Sequence, residues 1–314
     1  MLYFLGLFAG FILANQSPIN ARLGDTVKSP FISSLISFTI GTIFLAVVYF
    51  VSGQHAANLI YTATANPWWI WFGGVIGVVY LTSNILMFPK IGAIQTIILP
   101  IVGQVLMGVI IDSFGLFGVR QVPISLIKIS GVFILFIGIY IAVVLANKKV
   151  ANKVSTTGAE QTTAILNMWR IWGVFVGSLS AIQQAINGHL GYLLDSAVAS
   201  AVISFIIGTV IILIFILVRE PHLLAKAMAM PLKNKPLWLL TGGILGSLFV
   251  FSTTFLVPKV GAGMTVTLGL TGSILGSMVV SQFGLWQSPK QQVTRMQVGG
   301  ILFMIMGVVL IKFG

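Results

Sequence analysis

The sequence predicts an all-α polytopic membrane protein of ten transmembrane helices, arranged as two inverted five-helix repeats. Three observations predict it: an apolar composition, ten stretches long enough to cross a bilayer, and one motif that occurs twice. Hydrophobic residues make up 57% and charged residues 7% of the 314 positions, against roughly 45–50% and 25% in soluble domains. A crossing takes about 20 apolar residues. Stretches near 2–22, 30–52, 68–88, 93–112, 124–146, 168–190, 197–218, 237–257, 262–282 and 296–312 each qualify.

The motif lies in the first span, Gly6 to Gly24, as GLFAGFILANQSPINARLG, and returns from Gly173 to Gly191 as GVFVGSLSAIQQAINGHLG. Gly6, Gly10, Ala14, Gln16, Ile19, Asn20 and Gly24 recur as Gly173, Gly177, Ala181, Gln183, Ile186, Asn187 and Gly191. The chain therefore reads as one unit written twice: 1–146 and 168–314, joined by a polar linker at 147–167.

Pro30 opens the second helix where a missing N–H costs little. Ser33, Ser37, Phe38, Gly41 and Thr42 return as Ser200, Ser204, Phe205, Gly208 and Thr209, and small residues so spaced let membrane helices approach closely as scaffold. The third helix begins at Trp68 and Trp69, rings suited to the interface, and its counterpart follows Trp238. Both third helices run into one hairpin signature, Pro89-Lys90-Ile91-Gly92-Ala93 and Pro258-Lys259-Val260-Gly261-Ala262. Proline is expected to stop one helix and glycine to permit the turn into the next. In the fourth helices, Pro100 aligns with Gly269; the aligned pair marks either a broken helix that exposes carbonyls or a packing kink. The fifth helix is apolar apart from Lys128 and Ser130 near its start, and reads as scaffold.

An odd number of helices per repeat means that the second repeat crosses in the opposite sense. Arg22 and Lys28 populate the loop after the first helix, whereas Arg219, Lys226, Lys233 and Lys235 populate the loop after the seventh. The loops after helices 1, 3, 5, 7 and 9, with their helix borders, collect about 13 of the 17 basic residues. Basic residues mark the cytoplasmic side, so both termini are expected outside. The first helix is matched by Gly173–Gly191, so it is expected to belong to the fold and to escape cleavage.

Composition also excludes functions. A formal charge of +12 scattered over short loops makes no stripe for nucleic acid, and there is no Cys. His55, His189 and His222 lack ligand spacing, and no phosphate-binding GxxxxGK[ST] loop is present. No cofactor or metal is expected, and the spans carry no nucleophile and base set for an enzyme.

Amides cost free energy in hydrocarbon unless they find partners or line a wet cavity. Gln16 and Asn20, four residues apart, share a helix face, as do Gln183 and Asn187, with Gln184 beside them. Such pairs serve either as a substrate site between repeats or as interhelical glue.

These motifs, Gln16-x-x-Ile19-Asn20-x-x-Leu23-Gly24 and Ser37-Phe38-x-x-Gly41-Thr42 with their copies from Gln183 and Ser204, and the two Pro-Lys-x-Gly-Ala hairpins, resemble the drug/metabolite transporter superfamily. The nearer resemblance is to its DUF606 (YdcZ-like) family, and it covers nearly the whole chain. The resemblance implies that the first, third and fourth helices of each repeat surround a central cavity. The polar residues on them are Gln16, Asn20, Tyr80, Asn84, Gln95, Gln104, Gln183, Gln184, Asn187, Thr253, Thr265 and Ser273. Small multidrug carriers of that superfamily use a membrane-embedded glutamate, and nothing here aligns with it. Asp25, Asp112, Glu160, Asp195 and Glu220 all fall in loops or at helix ends, and Asp112 is expected to meet solvent or an interfacial partner.

The expectation is a secondary carrier or uniporter for a small neutral, zwitterionic or weakly cationic solute, working by alternating access in the inner or plasma membrane. Its partners are the solute and the lipid bilayer, with the chain a monomer or homodimer. The rival from another class is a membrane-embedded assembly subunit with no solute of its own, whose amides would pair with one another.

Overall fold

The structure, a computed structural model, describes residues 1–53, 59–145, 163–224, 236–288, 290 and 292–313, with the side chains of 59–60, 88–89, 92–98, 143–144, 163 and 312 outside that description. The helices are α1 (Leu2–Val27), α2 (Pro30–Val51), a short α3 (Leu59–Ala65), α4 (Gly73–Phe114), α5 (Leu126–Ile139), α6 (Thr163–Leu193), α7 (Ala197–Arg219), α8 (Thr241–Val260), α9 (Ala262–Phe283) and α10 (Arg295–Phe313). There is no strand among the described residues. Among the described residues six helical stretches are long and apolar enough to cross a membrane, and Gly73–Met87, Leu99–Phe114, Leu126–Ala142 and Arg295–Ile311 are shorter apolar helices. The protein is an all-α polytopic membrane protein.

Helix starts follow the sequence chemistry. Ser29 accepts the Ile32 N–H at 3.3 Å and Ser196 accepts the Ala199 N–H at 3.0 Å, so both second helices carry a serine cap that satisfies an orphan donor. Turns of 3-10 helix at Trp68–Trp71 and Leu237–Leu240 lead into α4 and α8. α6 begins at Thr163, within the stretch read as linker, with Arg170 donating to Asn167 Oδ1 at 3.0 Å along its polar first turns.

α4 is 42 residues of helical backbone that cannot be straight. At 1.5 Å per residue, Tyr80 and Gln104 would stand about 36 Å apart, yet Gln104 Nε2 donates to the Tyr80 hydroxyl at 3.0 Å. The chain therefore reverses between Met87 and Leu99. Both flank Gly173, where an added methyl would lie 3.4 Å from Met87 Sδ and 3.0 Å from Leu99 Cβ. In the second half the reversal falls at Gly261, φ 87°, a backbone that glycine adopts freely. The helix expected to stop at Pro258 continues through it to Val260. Proline forfeits one hydrogen bond near the helix end, whereas the turn itself needs the positive φ.

The two halves interleave. α1 lies between α8 and α9, and α6 lies between the two arms of α4. Gly10 packs on the Gly269 carbonyl and Gly177 on the Pro100 carbonyl, so closely that a methyl at either glycine would overlap the oxygen. The helix stays continuous at both carbonyls, which makes the Pro100 and Gly269 pair a packing feature. α2 crosses α7 with the Phe38 and Phe205 rings 5.2 Å apart and the Thr42 and Thr209 hydroxyls 3.0 Å apart. α5 packs on α10, Gly138 against Gly300 and Gly131 against Gly307. Each contact recurs with the halves exchanged, the relation a twofold axis imposes. Large side chains on the outer faces, such as Phe50, Phe133, Phe215 and Leu302, are exposed, as lipid-facing positions require.

Candidate functional site

Gln16 of α1 and Gln183 of α6 face one cavity of about 70 Å³ where the halves meet. Each amide nitrogen lies on a glycine of the other half: Gln16 Nε2 on Gly246 of α8, Gln183 Nε2 on Gly77 of α4. Any side chain at those glycines would displace the amide. Among the described residues neither glutamine side chain has a hydrogen-bond partner. A cavity of this size holds a few waters, so a larger solute enters only if the helices around it separate.

One turn along, the asparagines likewise lie on glycines of the other half, Asn20 Oδ1 on Gly242 and Asn187 Oδ1 on Gly73, and they also bond within their own half. Asn20 Oδ1 accepts the Ser37 hydroxyl at 2.7 Å, and its backbone carbonyl accepts that of Ser33 at 2.8 Å. Asn187 Nδ2 donates to Ser204 at 3.2 Å, and its carbonyl accepts the Ser200 hydroxyl at 2.7 Å. The asparagines therefore staple the first helix of each half to the second, the glue role that polar side chains play between membrane helices.

Six of the twelve candidate residues line the cavity: Gln16, Tyr80, Gln183, Gln184, Asn187 and Thr253. Tyr80 is held by Gln104, and Asn84 Nδ2 donates to the Tyr80 carbonyl at 2.8 Å, so Asn84 and Gln104 support the wall from behind. Asn20 lies behind its serine. Thr265 donates to the Gly261 carbonyl at 2.7 Å and Ser273 to that of Leu270 at 2.9 Å, and neither lines the cavity. The Gln95 side chain lies outside the described residues.

Ser37, Phe38 and Phe205 of the second helices also line the cavity, with Leu13, Ser180 and Phe249. The wall in this structure thus comes from the first, second and third helices of each half. The fourth helices, which the resemblance placed around it, pack outside. Ser37 and Phe38 belong to a repeated motif, a signal that scaffold and cavity share. No cluster of three His, Asp or Glu side chains able to hold a metal occurs among the described residues.

Asp112 departs from expectation. It is 3% exposed, and its two carboxylate oxygens accept the N–H groups of Ala262 and Gly263 at 2.7 and 2.8 Å. It caps α9 of the other half, where unpaired donors and the positive end of the helix dipole favour a carboxylate. Lys128, also 3% exposed, supplies the neighbouring positive charge.

Interleaved helical halves enclosing a cavity lined by amides, hydroxyls and apolar side chains define a repeat-built membrane protein. The chain belongs to the YdcZ family: the family model described as "Putative inner membrane exporter, YdcZ" matches residues 1–141 and 168–310. That membership makes it, in broad class, a multi-pass membrane transporter. The "Inner membrane protein YdcZ" of Escherichia coli (strain K12) is 24% identical over 136 residues, which span 88% of that relative and 42% of this chain. The relative is thus about one half in length. A solved structure titled "Crystal structure of protein" superimposes with a TM-score of 0.68 at 13% identity, covering 99% of this chain and 96% of its own, a likeness of fold.

Proposed function

We propose that this protein is a secondary carrier of a small neutral, zwitterionic or weakly cationic solute, which binds between the repeats and is exposed to each side in turn as they rock. The observation that carries this reading is the pair Gln16 and Gln183, equivalent amides from the two halves, unpaired and facing one cavity. Amides kept in an apolar protein without partners are costly; a solute that accepts and donates hydrogen bonds repays that cost. The assembly-subunit reading accounts for one amide atom of each asparagine, Asn20 Oδ1 and Asn187 Nδ2, which pair with serines, and leaves the glutamines without a role. The loop charges support the orientation with both termini outside, and a reporter fused at Gly314 that reads cytoplasmic would overturn it. One chain supplies both halves of the pseudo-twofold unit, which supports a functional monomer.

The chain contains no Cys, so one introduced thiol reports without background. Thr253→Cys places it in the cavity wall, 2% exposed in this conformation. Alternating access requires a membrane-impermeant maleimide to label it from each face of sealed vesicles in turn, with labelling slowed by solute. A thiol unreactive from both faces would sink the carrier reading.

A further inference from the structure

The two walls of the cavity are chemically unlike although the helices that form them are equivalent. Ser180 and Gln184 on α6 stand where α1 has Leu13 and Ser17, and Tyr80 on α4 stands where α8 has Phe249. The α4 and α6 side therefore carries Tyr80, Ser180, Gln183, Gln184 and Asn187, whereas the α1 and α8 side keeps Gln16 and Thr253 and sets Leu13, Phe249 and Val250 beside them, with the tilted Phe38 and Phe205 rings between. On the polar side Gln184, 4% exposed, donates through Nε2 to the Ser180 carbonyl at 3.3 Å. Only the amide nitrogen can donate to a carbonyl, so the free atom is Oε1, which is buried and has no partner. A buried acceptor left open calls for a donor. Among the described residues no Lys, Arg, His, Asp or Glu lines the cavity, and a desolvated ion without a counter-charge is disfavoured.

Resting on the carrier reading above, we infer that the solute is uncharged and amphipathic: an N–H or O–H group meets Gln184 Oε1, and an apolar body lies against Leu13, Phe249 and the Phe38 and Phe205 rings. Of the classes open to the carrier, this selects the neutral one and adds a directional fit. The solute binds with its polar end toward α6.

Benzamide, benzoate and benzamidinium have nearly one shape and differ in charge, and acetamide keeps the amide while removing the ring. A ligand that binds the folded protein raises its unfolding temperature. Measured on the purified full chain, the rise with benzamide is expected to be at least twice that with each of the other three. Gln184→Leu is expected to reduce the benzamide rise to the benzoate level. Leu13→Ser, which breaks the apolar wall and leaves Gln184 in place, is expected to reduce it as well and serves if Gln184→Leu does not fold. Benzoate or benzamidinium matching benzamide would overturn the neutral class, and acetamide matching it would overturn the apolar wall; in both cases the carrier reading stands if Thr253→Cys is labelled from each face. No rise with any probe overturns the inference, and the carrier reading falls with it only if that thiol is unreactive from both faces.

Discussion

The Asp112 carboxylate lies 2.8 Å from the backbone nitrogen of Gly263, 151 residues away. With the matching bond to Ala262 at 2.7 Å, it ties the second arm of α4 to the first turn of α9 and so joins the two halves. The position equivalent to Asp112 holds Ser281, so the tie is particular to one end of the molecule. Asp112→Ala strands two buried N–H groups and is expected to cost about 2 kcal/mol. Asp112→Asn keeps one acceptor oxygen and should cost about half that. Unfolding of the purified variants by heat or denaturant checks the order, and an alanine variant within about 0.5 kcal/mol of the parent would show that the cap contributes nothing.

The glutamines and asparagines of the repeated motif should separate on substitution. Asn20→Ala removes the acceptor of the buried Ser37 hydroxyl and is expected to cost about 1 kcal/mol of stability. Gln16→Ala removes an unpaired amide and is expected to stay within about 0.5 kcal/mol while abolishing the ligand-induced stability rise. A loss of stability for Gln16→Ala as large as for Asn20→Ala would place both in the scaffold.

Close helix approach should discriminate between glycines of one helix. A methyl on Gly10 would overlap the Gly269 carbonyl, whereas on Gly24 the nearest atom is Ser33 Cβ at 3.7 Å. Gly10→Ala is expected to destabilise by about 1–3 kcal/mol, since backbone must move. Gly24→Ala should be neutral within about 0.5 kcal/mol. Paired unfolding curves decide, and equal effects would contradict the contact.

Thr42 and Thr209 meet at 3.0 Å across the halves, yet each donates to the carbonyl four residues back in its own helix, Phe38 and Phe205, at 2.8 Å. A hydroxyl has one proton, so sharing between the threonines competes with these backbone bonds. A double-mutant cycle of Thr42→Val and Thr209→Val is expected to give a coupling below about 0.6 kcal/mol, near the average for membrane hydrogen bonds. A coupling above about 1.5 kcal/mol would mean that the interhelical bond dominates.

Much of the cavity was legible because the motif occurs twice: Gln16 and Gln183 stand out as equivalent amides in apolar helices, and both face the cavity. The separation of Gln from Asn was not. A spacing of four on a 3.6-residue turn leaves side chains about 40° apart, enough to turn Asn20 and Asn187 toward the serines of the second helix. Ser180, one turn before Gln184, lacks a polar counterpart at Leu13, so attention to what recurs passes over it. Asp112 at a helix end pointed to solvent or an interfacial partner, and nothing local announces that the partner is the first turn of a helix in the opposite half.

Local chemistry along the chain was enough for the class of protein, the doubled unit, the serine caps and the uncharged character of the cavity. Composition and period are properties of neighbouring residues and repetition is read by comparing segments of the sequence, and in a bilayer they dictate where helices form and which faces carry polar groups. Docking of the halves was needed to bring Gln16 and Gln183 to one cavity, fold α4 back on itself, bury Asp112 on α9 and give the two walls unlike chemistry. Those outcomes depend on contacts between residues far apart in the chain, such as Gln16 with Gly246 and Asp112 with Gly263, and such pairings are set by which helix grooves fit together.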